Sequence, residues 1–222
     1  MRVHFTEQMN LLSAELTRMG GLCEKAILKS ANSLLNSDPF LAHEVIYLDG
    51  EIDEKENEIV SLCYKLLLQQ QPVASDLRLI SAAMKMVTDM ERIGDQAGDI
   101  AEIVRSGHTK KFESKTSHIK EMARATIDMV NGAITAFVRR DLELAHAVIA
   151  YDDIVDDLFD TVRNDLVETI SSTADPDGRQ AIGETAIDLL MVAKYLERIG
   201  DHAVNIAEWV EFSITGKQKE TR

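Results

Sequence analysis

The chain has 222 residues, with 24 Lys and Arg against 38 Asp and Glu for a formal charge of −14, and 45% of its residues are hydrophobic. That acidic balance argues against nucleic acid as a direct partner, since a phosphate backbone is held by clustered Lys and Arg, and the apolar fraction is too high for a disordered acidic tail. With 3 Pro, 11 Gly and 5% aromatics, the composition predicts an all-α chain.

The N-terminal MRVHFTEQMNLLSAEL breaks its apolar run with acids and amides, which excludes an export signal, and no later stretch reaches the ~20 apolar residues of a membrane span. A first helix is predicted over 4–37. Asp38-Pro39 places an N-cap acid before a proline at the first helical position, opening a second helix over 39–70 that Gln71-Pro72 ends. A third runs over 75–106 to Gly107. Helices over 115–140, 141–172 and 179–213 follow, with Asp175-Pro176-Asp177-Gly178 breaking this half as Pro72 breaks the first. Cys23 and Cys63 lie inside apolar helical stretches with no CxxC and no His at ligand spacing, so they read as small core residues of a protein in a reducing cytosol.

The chain is written twice. Leu41-Ala42-His43-Glu44-Val45-Ile46 is answered at an offset of 103 by Leu144-Ala145-His146-Ala147-Val148-Ile149. Glu91-Arg92-Ile93-Gly94-Asp95 is answered letter for letter at an offset of 106 by Glu197-Arg198-Ile199-Gly200-Asp201, and residues 91–102 and 197–208 are identical at nine of twelve positions. The expected architecture is two tandem three-helix bundles, six long helices from an internal duplication, divided as 1–110 and 111–222.

The third helix of each half carries a 3-4-3-4 apolar stripe, from Ile80 to Val104 and from Ala186 to Val210, which marks a core seam. Gly94 and Gly200 fall at the same seam position, where a missing side chain lets a neighbouring helix backbone come close. Glu91 and Asp95 lie to one side of this seam, and Asp49 and Asp53 lie to the same side of the seam of the second helix. Antiparallel packing brings like flanks together, so Asp49 and Asp53 are expected to converge on Glu91 and Asp95. Asp152 and Asp156 should converge on Glu197 and Asp201 in the same way. Clustered carboxylates protonate or recruit a cation, and an all-oxygen set without thiolates suits hard ions. Each half is therefore expected to hold a metal site of one or more ions, with magnesium, calcium, manganese, ferric iron and zinc as the candidates. Asp99 and its counterpart Asn205 extend the two candidate ligand sets, and Gln96 answers His202.

The bland alternative is a solvated acidic face neutralised by Arg92 and Arg198. Glu143-Leu144-Ala145-His146 matches the Glu-x-x-His of di-iron bundles, but the first copy reads Phe40-Leu41-Ala42-His43 and His146 points away from the seam. There is no P-loop, no nucleophile elbow and no dinucleotide turn, so the chain is not expected to be an enzyme.

The motifs Asp89-Met90-Glu91-Arg92-Ile93-Gly94-Asp95 and Tyr195-Leu196-Glu197-Arg198-Ile199-Gly200-Asp201, with Gln71-Pro72-Val73-Ala74-Ser75-Asp76-Leu77-Arg78, cover the pattern of one family across essentially the whole chain. The sequence resembles the PhoU family of bacterial phosphate-transport accessory proteins. That family typically has His and Asn in both copies, where this chain has Gln96 and Asp99 in the first. The resemblance implies a cytoplasmic, often homodimeric protein, peripheral at the inner membrane face, that binds multinuclear metal clusters through the acidic motifs. It further implies association with the ATPase subunit of the phosphate ABC transporter and with the phosphate-sensing histidine kinase, and negative regulation of the phosphate-starvation (Pho) response. An accessory of a low-affinity phosphate transporter, a metal-dependent helical-bundle enzyme and a purely structural adaptor are the other readings.

Overall fold

A computed structural model describes residues 2–70, 72–106, 117–172 and 176–217. They form α1 (Arg2–Asn36), α2 (Pro39–Gln70), α3 (Ala74–Ser106), α4 (Ser117–Arg139), α5 (Leu142–Ser172) and α6 (Pro176–Thr215), and no strand occurs among the described residues. The expected breaks at Gln71, Gly107 and Asp175 and the repeat boundary at 110/111 lie outside them. The helix ends agree with the expected ones within one or two residues except that α6 begins at Pro176 rather than at 179. Proline is compatible with a first helical position because its missing N–H would have had no partner there.

The duplication reaches into the turns. Asp38 Oδ1 accepts from the backbone N–H of Phe40 at 2.9 Å and of Leu41 at 3.3 Å, and Asp141 Oδ1 accepts from Leu144 N–H at 3.0 Å. The preceding residues, Ser37 with φ 49° and Arg140 with φ 53°, both adopt the left-handed conformation that ends a helix abruptly. Both helical hairpins are thus closed by the same cap geometry.

The seam residues of α3 and α6 are buried throughout, and so are Met86, Ile93 and Ile100 on the other flank of α3. A helix buried on two flanks needs neighbours on both, and α3 packs against α1 and α2 of its own repeat and α6 of the other. Among the helix pairs, α3 with α6 makes the most extensive contact, and α1 with α4 adds a second junction. At that junction a Cβ on Gly20 would fall 2.2 Å from Ile134 Cδ1, so a larger residue there would have to displace the end of the Ile134 side chain. The two bundles therefore share one continuous hydrophobic core.

Candidate metal centre

The first acidic cluster is built around Asp49. Its side chain leaves α2 and lies over two glycines of α3: a Cβ on Gly94 would be 2.8 Å from Asp49 Oδ1, and one on Gly98 would be 3.4 Å from Asp49 Oδ2. The Gly94 Cβ would also be 3.0 and 3.2 Å from side-chain atoms of Ile52. The seam position of this glycine leads one to expect neighbouring backbone beside it. What occupies the space is instead a carboxylate and an isoleucine side chain.

Seated there, Asp49 Oδ1 is buried without a hydrogen-bond partner. Burial, reinforced by the nearby charges of Asp53, Asp95 and Asp99, pushes the Asp49 carboxyl up to about 6. Glu91 is raised as well, first by burial, then by Asp95, and more weakly by Glu56 and Asp53, with Arg92 opposing. The structure thus brings Asp49, Asp53, Glu91 and Asp95 together across the α2–α3 pair.

The second cluster repeats the construction between α5 and α6. A Cβ on Gly200 would lie 3.1 Å from Asp152 Oδ1 and 3.5 Å from Val155 Cγ1. Burial and the charges of Asp156, Asp201, Asp153 and Glu197 raise Asp152 to about 6. Asp156 is raised by burial, Glu197 and Asp153 against the opposing charge of Lys194, and Asp201 by burial and Glu197 against the same lysine. Asp152, Asp156, Glu197 and Asp201 are therefore gathered as the spacing predicted.

The two outlying candidates behave differently from these eight. Asp99 is raised by burial, Glu102 and Asp95, but it also accepts a hydrogen bond from Tyr195 of the other repeat and feels Arg198. Asn205 turns away from the second cluster: its Nδ2 donates to Asp89 Oδ1 at 3.1 Å, and His202 Nδ1 lies 2.9 Å from the same oxygen. These contacts tie α3 to α6 in antiparallel register, linking repeats as well as bordering clusters. His146 lies 3.6 Å from Glu211 Oε1 and is exposed, far from any Glu-x-x-His geometry.

Cations accompany both clusters. Arg92 reaches Asp95 Oδ2 at 2.8 Å and Glu91 Oε2 at 3.4 Å, whereas Arg198 works on Asp99 and Lys194 pairs with Glu197. Sequence reasoning missed Glu56, Asp153, Asp89 and Lys194. Glu56 stands three residues after Asp53, and Asp153 takes the place of Gly50, so both could have been found by extending the repeat alignment across the flanks.

An all-oxygen donor set of this kind suits a hard rather than a soft cation. A carboxylate oxygen is buried and unpartnered, glycines clear the space beside it, and every facing donor is oxygen. Among the described residues no group of three or more His, Cys, Asp or Glu side chains is placed so that it could hold a metal ion as it stands. Cys23 and Cys63 contribute nothing to such a group: both are free and buried, and burial pushes each thiol up to about 12.

Comparison with known proteins agrees with the repeat. The model of the PhoU domain matches residues 16–104 and again 119–210. The chain is 35% identical over 215 residues to a phosphate-specific transport system accessory protein PhoU homolog of Clostridium acetobutylicum, covering 96% of this chain and 95% of that one. It is 36% identical to the homolog of Pseudomonas aeruginosa, covering 96% and 88%. The crystal structure of PhoU from Pseudomonas aeruginosa superposes with a TM-score of 0.86 at 34% identity, over 96% of this chain and 100% of the other. The phosphate transport system regulatory protein PhoU from Streptococcus pneumoniae gives 0.86 at 22% identity, which speaks for the fold.

Proposed function

This chain belongs to the PhoU family, and from that premise we propose that it is a metal-binding accessory protein of phosphate-specific transport that restrains the phosphate-starvation response. It is an accessory protein and not an enzyme. The observation that carries the metal reading is the double occurrence of a half-buried aspartate, Asp49 and Asp152, each pressed onto a glycine of the facing helix and surrounded by further acids.

In the first site Asp49, Asp53, Glu91 and Asp95 hold the cation, with Asp99 at its border, and in the second Asp152, Asp156, Glu197 and Asp201 do so. The bound cation supplies compensating charge, which lets several carboxylates stay ionised on one surface. Iron, zinc, manganese and magnesium all accept such oxygen donors. The partners are the ATPase subunit of the phosphate ABC transporter and the phosphate-sensing histidine kinase. The protein acts as a homodimer in the cytoplasm and meets the membrane only through these partners. No helix among the described residues is long and apolar enough to cross a membrane.

The test is genetic and chemical together. Deleting the gene is expected to derepress phosphate-starvation genes in phosphate-rich medium, and a copy carrying Asp95→Asn and Asp201→Asn should fail to restore repression while losing its bound metal. Full repression without the gene would refute the regulatory role. Full repression by the double variant would separate that role from the acids.

A further inference from the structure

The outer surface of the α1–α2 hairpin carries a pattern that neither the core nor the acidic clusters use. Stepping alternately by three and four residues from Leu11 to Asn32 in α1, and from Phe40 to Leu68 in α2, traces two stripes of which no member is buried. That spacing is the spacing of a helix seam, so each helix presents a second seam on its outer side. The two seams carry opposite charge. In α1 the stripe holds Arg18 and Lys25 and no acid, whereas in α2 it holds Glu44, Glu51, Glu54 and Glu58 against Lys65 alone. Large apolar side chains accompany them: Leu28 is 49% exposed, Tyr47 70% and Phe40 83%.

Between the stripes runs a groove of about 540 Å³, lined by Gly21 and Leu22 together with these basic and acidic side chains. Lys29 pairs with Glu44, and Lys55 with Glu15 and Glu58, inside the hairpin. Lys25, Glu51 and Glu54 take no ion-pair partner among the described residues. A Cβ on Gly21 would meet nothing within 4 Å, so the chain's own packing does not call for glycine there, although glycine inside a helix costs ~1 kcal/mol against alanine. The fold does not require the pattern either. At the offset of 103, Glu121 and Asp128 replace Arg18 and Lys25, Arg124 replaces Gly21, and Ile154 and Thr161 replace Glu51 and Glu58. The second hairpin thus lacks the division into a basic and an acidic helix.

An occupant of this face must bring acids to α1, bases to α2 and apolar side chains to Leu28 and Tyr47. A second copy of the same hairpin does so when it is turned by a twofold axis running along the groove. Rotation about that axis keeps each residue at its height and exchanges the sides, so α1 of each copy lies antiparallel over α2 of the other. The heights follow from Lys29 beside Glu44 and Lys55 beside Glu15. They set Lys25 opposite Glu51 of the second copy, Arg18 opposite its Glu54 and Glu58, and Leu28 opposite its Tyr47. The face is about 32 Å long and about 20 Å wide, so each copy would bury on the order of 700 Å², close to the ~800 Å² per partner of a stable interface. We propose that two copies of this chain join through the α1–α2 face as a four-helix bundle, with basic α1 on acidic α2 across the axis. The inference rests on the homodimer reading above and supplies its surface. Because the second hairpin is not self-complementary, assembly closes at two copies.

Sedimentation velocity of the full chain reads the association. Arg18→Glu with Lys25→Glu, and separately Glu51→Lys with Glu54→Lys, should each weaken it roughly 100-fold or more, because like charges then face each other across the axis. Mixed in equal amounts, the two variants should recover a dimer, since each reversed helix then meets its opposite. Gly21→Arg, which introduces the residue of the second repeat and leaves every native charge in place, should also weaken association by filling the groove. Far-UV circular dichroism confirms that each variant retains its helices. Wild-type association of all three variants would overturn the proposal while leaving the homodimer to another face. Variants that are monomeric both alone and when mixed would overturn the charge pairing on which it stands. A wild type that stays monomeric would overturn the homodimer reading as well, and would leave the face to a helix of a different protein.

Discussion

Replacing Asp49 by Asn should stabilise the metal-free protein while destroying the first metal site. The carboxyl of Asp49 is raised from 3.8 to about 6. At about 1.36 kcal/mol per pH unit, holding it as an anion in the folded state near neutral pH disfavours folding by ~3 kcal/mol. Only one of its oxygens is fully enclosed, and solvent screening at the other reduces the effect to ~1–2 kcal/mol. The sign follows from linkage. A raised folded-state value means that the folded protein binds this proton more tightly, so stability falls as pH rises from about 4 through about 6 and levels off above. Urea unfolding of chelator-treated protein should therefore give Asp49→Asn a higher midpoint than wild type at pH 7.5, with the difference shrinking at pH 4.5. Saturating Mn²⁺ should reverse the order, because only the wild type can use the ion. If Asp49→Asn is less stable than wild type at pH 7.5 without metal, the carboxylate is not held under repulsion and the reasoning fails.

The glycine contacts predict an asymmetry between repeats. Gly94→Ala, whose Cβ would be 2.8 Å from Asp49 Oδ1 and 3.0 Å from Ile52, should cost ~1–2 kcal/mol by overpacking. Gly200→Ala, with its nearest contact at 3.1 Å, should cost less, because helix propensity returns ~1 kcal/mol; urea midpoints compare the two. Asp38→Ala and Asp141→Ala should each lose ~1 kcal/mol from a missing N-cap, checked in the same way, and equal losses would show that the duplicated turns are energetically equivalent. Removing metal with a chelator should lower the melting temperature and returning Mn²⁺ should restore it, as scanning calorimetry would read.

Much of this was legible before any coordinates. Asp38 and Pro39 marked the turn between α1 and α2, and the single-sided placement of Asp49, Asp53, Glu91 and Asp95 beside their seams was enough to bring them together, because antiparallel neighbours present like flanks. The mode of support at Gly94 was not legible. Periodicity identifies a seam position without saying whether backbone or a side chain fills it, and here the occupant is the most perturbed acid of the cluster. The joining of the repeats was hidden for a related reason. Helical spacing marks a buried flank of α3 without saying which helix covers it, and the α3–α6 junction joins residues over a hundred positions apart, such as Asp89 with His202 and Asn205. Asn205 shows the limit of carrying a role across the duplication: the equivalent of Asp99 bonds to Asp89 of the other repeat, a partner that lies outside the repeat being aligned.

The two clusters place acids where burial and mutual repulsion oppose their charge, and they do so twice with the same four positions. A fold selected for stability alone would gain by neutralising Asp49 and Asp152, since each is held toward its protonated form. Packing does not require the charge either, because asparagine has the same shape. What the carboxylates can do and the amides cannot is attract cations strongly, as Arg92 and Lys194 already show within the clusters. Arg92 supplies part of the compensating charge from within the first cluster and Lys194 from within the second.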